Sequence, residues 1–173
     1  MNATPDIEAL FKPLLGEAAW HVRHTHGSCV FIEFGTPHRQ VREPLPTSEG
    51  LSPEQKLRRL KRKVSFRGDW SLLLFTCHWS LRAWDFAATD DSRPAEIALP
   101  FEALDGQFLK SVQYDEVDKA MSLFFDLGAE LQMWPNADTD DDEAQWTLAS
   151  IDKVYRSFVS SGALQVEQGR NAD

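Results

Sequence analysis

Apolar residues recur along the chain with two different periods, and together they predict a mixed fold. Between residues 6 and 15, Ile7, Leu10, Phe11, Leu14 and Leu15 return at three- and four-residue intervals, which gives a short helix one apolar face. Thr4 or Asp6 can cap it and Gly16 can end it. Pro13 removes a backbone donor, so the element is expected to be short or kinked. Beyond it the period falls to two. Residues 19–25 and 28–34 predict a hairpin that turns at His26-Gly27, with Thr25 opposite Ser28 and His24 opposite Cys29. Residues 70–84 are apolar on both alternations, which predicts one central strand covered on both faces. Segments 108–114, 120–126 and 129–134 alternate as a meander, and 146–150 pairs with 154–159 about Asp152-Lys153.

Two stretches interrupt this pattern. Residues 36–53, "TPHRQVREPLPTSEGLSP", read as a proline-rich loop. The loop runs into a helix start, with Ser52 as cap and Pro53 in the first position. Six cations follow within the eight residues 56–63. Ser92 and Pro94 open another small helix, and Asp105-Gly106 turns the chain. The elements predict an α+β fold. Its sheet is mainly antiparallel and curved, as a meander, a half-barrel or two layers, with a short N-terminal helix and two small helices. One domain is expected over residues 1–168, with 36–63 as an excursion and 169–173 as a disordered tail.

Composition narrows the setting. The 173 residues are 42% hydrophobic and 26% charged, which excludes global disorder. No stretch approaches the roughly 20 apolar residues of a membrane helix. The start of the chain lacks the basic and apolar regions of a secretory signal, so a cytoplasmic protein without a membrane is expected. The net charge of −9 argues against nucleic acid and suits a basic partner or a cationic ligand. Cys29 and Cys77 are too few for a disulfide framework and are expected as free thiols.

Candidate chemistry is sparse. "WHVRHTHGSC", residues 20–29, holds three histidines and a cysteine. His24 and Cys29, joined by Cys77 and His78, supply a zinc-type ligand set if the fold brings them together. Otherwise His24 bonds a backbone group and the cysteines fill the core. Cys29 or Ser28 with His24 or His26 makes a nucleophile–base pair on paper, but no G-x-S-x-G elbow accompanies it. Arg58, Arg59 and Arg62 belong to the basic run. They can meet phosphate, an acidic partner or the chain's own acidic loop, or form a solvated face. Asp138, Asp140 and Asp142 occupy the first positions of a calcium loop, yet Glu143 and Ala149 stand where it needs Gly and Glu. Of six tryptophans, Trp84 and Trp134 fall at strand ends, where an aromatic can line a pocket mouth.

The stretches "HGSCVFIEFG" (26–35), "RGDWSLLLFTCHWSL" (67–81), "LDGQFLKSV" (104–112) and "FFDLGAELQMWP" (124–135) resemble a family of small uncharacterised bacterial proteins. The resemblance runs over about residues 16–160 as order and spacing. It implies a bacterial cytoplasmic setting and one intact domain, and it carries no catalytic residue. The basic excursion between Gly35 and Arg67 departs from the family pattern. The expected function is a non-catalytic intracellular interaction protein, in one form an immunity-type protein that blocks a basic toxin. The alternatives are a zinc-dependent enzyme using His24, Cys29, Cys77 and His78, and a small-molecule binder with a tryptophan-lined pocket. No cofactor other than zinc is suggested, and the oligomeric state is left open.

Overall fold

A computed structural model describes residues 6–152 and 154–169. Lys153, part of the expected turn, and residues 170–173 of the expected tail lie outside the described residues. The elements run α1 (Ile7–Phe11), a 3-10 turn (Lys12–Leu14), β1 (Ala19–His24), β2 (Val30–Phe34), β3 (His38–Arg42), α2 (Pro53–Leu60), β4 (Lys63–Arg67) and β5 (Trp70–Leu74). They continue with β6 (His78–Ala83), β7 (Phe86–Thr89), α3 (Pro94–Leu104), β8 (Leu109–Tyr114), β9 (Met121–Phe125) and β10 (Glu130–Trp134). The last three strands are β11 (Ala144–Ser150), β12 (Val154–Val159) and β13 (Leu164–Gln168). The fold is α+β and antiparallel, as the periodicity predicts. Among the described residues, no helix is long and apolar enough to cross a membrane.

The strands form two large open sheets, ordered β1-β2-β5-β11-β12-β13 and β7-β6-β10-β9-β8. One core is shared between them. Ile32, Phe34, Leu72, Leu74, Leu148 and Phe158 come from the first sheet, and Trp79, Leu81, Leu123, Leu131 and Met133 from the second. Asp6 caps α1 by accepting from the Ala9 N–H at 3.0 Å. Phe11 and Leu14 then bury beneath the sheets, with the Phe11 ring edge-on to Trp146 at 5.6 Å.

The expected central strand over 70–84 is two strands in different sheets, β5 and β6. The chain crosses between sheets at residues 75–77. There the Phe75 N–H donates to Gln145 O at 3.0 Å, and Thr76 Oγ1 donates to Ala144 O at 3.1 Å. Leu72 and Leu74 point inward before the corner, and Trp79, Leu81 and Ala83 after it. Inward parity therefore changes from even to odd, which reads in sequence as one strand apolar on both faces.

The first hairpin also departs from expectation. His24 pairs with Val30, not Cys29. Thr25 N–H donates to Cys29 O at 3.2 Å and Cys29 N–H to His26 O at 3.0 Å. The loop thus has three residues, with left-handed Gly27 (φ 55°) at its centre. A bulge at His21 and Val22, which together oppose Ile32, shifts β1 again. β13, an edge strand on β12, has no counterpart in the sequence reading.

The proline-rich excursion is not simply loop and helix. β3 and β4 pair from His38↔Arg67 to Arg42↔Lys63, prolonging the β2–β5 pair, which ends at Phe34↔Trp70. The result is a ribbon-shaped arm with α2 at its tip. No residue from 36 to 67 is buried. Its root is clamped. Buried Glu33 accepts from Gly68 N–H at 3.0 Å and from the Ser71 hydroxyl. Asp69 accepts from Thr36 N–H and from the His38 ring, each at 2.7 Å.

Candidate functional site

The residues first suspected of chemistry are held by local structure. His24 Nε2 lies 2.6 Å from Gly27 O. A carbonyl only accepts, so that nitrogen carries the proton. The ring lies roughly edge-on to Trp79 and Phe101, at 6.3 and 6.4 Å. Ser28 Oγ donates to Phe75 O, and Cys29 Sγ points to the same carbonyl at 3.8 Å. Cys77 is buried, and its thiol is pushed up to about 12 by burial first and by the negative charge of Asp90 second. His78 Nδ1 donates to Asp90 Oδ2 at 2.7 Å, and its ring is tilted against Trp134 at 5.9 Å.

The paper pairing of Ser28 or Cys29 with a histidine base is therefore replaced by bonds to the Phe75 backbone. Among the described residues, no three His, Cys, Asp or Glu side chains are grouped to hold a metal ion. His24, Cys29, Cys77 and His78 do not come together as a ligand set. The reason is the hairpin register: His24 faces Val30 and is turned back on its own loop.

Trp84 has a different environment. It begins the two-residue turn between Ala83 and Phe86, which pair across β6 and β7. Such a turn demands a left-handed residue, ordinarily Gly or Asn, and Trp84 adopts φ 53°. That conformation costs an L-residue about 1–2 kcal/mol. The indole N–H donates to Leu127 O at 2.9 Å, which ties it to the β9–β10 turn. Trp84 nevertheless stays 58% exposed.

Around it lies a concavity of about 430 Å³, lined by Phe86, Leu99, Ala103, Gln107 and Leu127. Phe86, Leu99, Leu127 and nearby Phe108 are all exposed. Glu102 and Asp105 supply the charge, and no Lys or Arg is among the lining residues. The feature is an aromatic shelf with an acidic rim. A second cleft, of about 620 Å³, shares Glu102 and Asp105 with the shelf and contains Arg23, His24, Thr25 and Phe101; Asp105 accepts from the Val22 N–H at 3.1 Å. Trp134 borders a further concavity of about 430 Å³ with Asp118, Ala120 and Gln132.

The basic run lies on the arm, away from the tryptophans. Arg58 and Arg59 line a cleft of about 640 Å³ with Arg42, Lys61 and Lys63. Arg59 Nε donates to Pro46 O at 2.7 Å. Arg62 pairs within the arm, with Glu43 at 2.8 Å, rather than with the acidic loop. Residues 36–67 contain nine Lys or Arg against three Asp or Glu, a net charge of +6. The remaining residues contain nine against twenty-four, a net charge of −15.

Phe86, Leu99, Glu102 and Leu127 are shelf residues that the sequence reading missed. Leu127 falls in the gap between the expected strands 120–126 and 129–134, and a leucine placed in a turn was the available sign of an apolar side chain left outside the core. No family model matches this chain, nor does any curated protein or solved structure.

Proposed function

We propose that the protein is a non-catalytic binding protein that docks a basic, apolar segment of a protein partner on the Trp84 shelf. The observation that carries this reading is the state of Trp84 itself. An exposed indole, held in a strained backbone conformation and anchored through its N–H, is a costly arrangement for a surface side chain. Contiguous exposed apolar residues mark interaction surfaces, and here they extend to Phe108, beyond the cavity lining. That breadth favours a partner segment over a small molecule. Glu102, Asp105 and the net charge of −9 favour a basic partner. A basic toxin held by an immunity-type protein is one concrete form of this reading, by analogy with other small acidic proteins; the resemblance in sequence pattern implies only the bacterial cytoplasmic setting.

The test is calorimetric titration with a synthetic peptide that sets two leucines, three residues apart, among arginines. Binding is expected to weaken with salt and to be lost in Trp84→Ala. Binding that survives Trp84→Ala, or no binding to the wild type as a monomer, overturns the reading.

A further inference from the structure

The arm is an element without a core. A two-stranded ribbon is marginal in water unless a face is covered. A helix the length of α2, eight residues, is below the roughly 12–15 residues needed to stand alone. Yet Val41, Val64 and Phe66 share one face of the ribbon and are 42%, 54% and 51% exposed. Leu57 and Leu60, one turn apart on α2, are exposed as well. Phosphate contacts would use the cations of the arm and leave these five apolar side chains unexplained. A protein surface that is both acidic and apolar uses the cations of α2 together with Leu57 and Leu60.

The protein carries such a surface itself, the Trp84 shelf. We propose that a second copy of this chain supplies α2 to that shelf. This inference rests on the shelf reading above. Leu57 and Leu60 enter the concavity between Trp84, Leu99 and Leu127, while Arg58 and Lys61 meet the rim of Glu102 and Asp105, Arg59 staying bound to Pro46 O within its own arm. The charge asymmetry, +6 on the arm and −15 on the remainder, draws unlike parts of two copies together.

The exchange is reciprocal, because the arm root and the shelf lie at the same end of the molecule. Gly35 O accepts from the Trp20 indole at 2.9 Å. Ala19 O accepts from Gly106 N–H at 2.7 Å, and Gly106 lines the shelf. Two copies facing each other about a twofold axis can exchange arms both ways, which closes a dimer instead of a chain. The clamp of Glu33 and Asp69 at the root directs the arm outward, and no hydrogen bond or ion pair joins it to its own shelf among the described residues.

Sedimentation analysis of the full chain tests the proposal. A dimer is expected, weakened by salt, and Leu57→Asp and Trp84→Ala are each expected to weaken it at least tenfold while circular dichroism stays unchanged. Glu102→Lys, on the exposed rim, repeats the test with a variant that removes no packing. The two defective chains mixed together keep one intact arm and one intact shelf. They should associate more tightly than either does alone. A dimer indifferent to all three substitutions overturns the proposal. So does a monomer whose arm is protected from hydrogen exchange, because the arm then covers its own body. A monomer whose arm binds duplex DNA independently of Leu57 also overturns it. A monomer that binds the leucine–arginine peptide at Trp84 ends the self-pairing alone. A monomer that binds no peptide ends the shelf reading too.

Discussion

Replacing Trp84 by glycine should leave a more stable protein than replacing it by alanine. Both substitutions remove the same indole, the same bond to Leu127 O and the same contacts with the shelf, so those losses cancel in the comparison. The backbone does not cancel. At φ 53° an alanine meets the left-handed penalty of about 1–2 kcal/mol, which glycine escapes. Glycine gives back about 0.4–1 kcal/mol through the greater freedom of the unfolded chain. Taking the middle of each range, the balance favours glycine by about 0.8 kcal/mol. Within a regular helix or strand the order is reversed by a similar amount, so the sign alone is informative. For a chain of 173 residues the midpoints should differ by about 1–4 °C. Urea unfolding with a common m-value gives the same comparison at fixed temperature. An alanine variant as stable as the glycine variant means that the turn relaxes readily. Trp84 is then not held under strain, and its exposure is not a costly arrangement.

Other consequences concern the arm root and the thiols. Gly68→Ala would place a Cβ 2.2 Å from Phe34 O and 2.9 Å from Phe34 N, forcing β2 and the arm root apart. A loss of about 1–3 kcal/mol is expected, and an unchanged melting midpoint would contradict the packing. A thiol reagent should label Cys29 in the folded protein and Cys77 only after unfolding, since Cys77 is 1% exposed and its thiol is raised by burial. Two rapid labelling events would refute this. Asp69 is held below its ordinary value of 3.8, by the hydrogen bond from His38 first and the Thr36 N–H second. A carboxyl lowered in the fold contributes stability that is full above the unfolded value and is lost as pH falls through the folded one. The pair is 43% and 39% exposed, so the effect is small. Asp69→Asn should flatten the acid limb of stability against pH and speed amide exchange in β3 and β4; matching profiles would count against the clamp.

Strands and helix caps were legible because short-range chemistry sets them. Asp6, Ser52 and Gly16 stand where the caps and turns form, and the alternation of β9 and β10 follows the inner face of their sheet. The corner at residues 75–77 was hidden because a change of inward parity and a doubly covered strand leave the same apolar pattern. β3 was hidden among Pro37, Pro44 and Pro46, with neither face buried to give it a period. The site was less legible than the fold. Trp84 was visible as an aromatic at a strand end, while Leu99, Glu102 and Leu127 come from α3 and a turn brought beside it by β6–β10 pairing. His24 and Cys29 looked adjacent only in a two-residue hairpin register, which the three-residue loop about Gly27 replaces.

The most direct test of the central claim is the indole N–H resonance of Trp84, identified by its loss in Trp84→Phe and followed while the leucine–arginine peptide is added. The account predicts that this signal shifts in a saturable, salt-sensitive way, together with the methyl groups of Leu99 and Leu127, while the buried Trp79 stays still. A spectrum of the monomeric protein in which Trp84 does not move, or in which the shifts gather elsewhere on the surface, would contradict it.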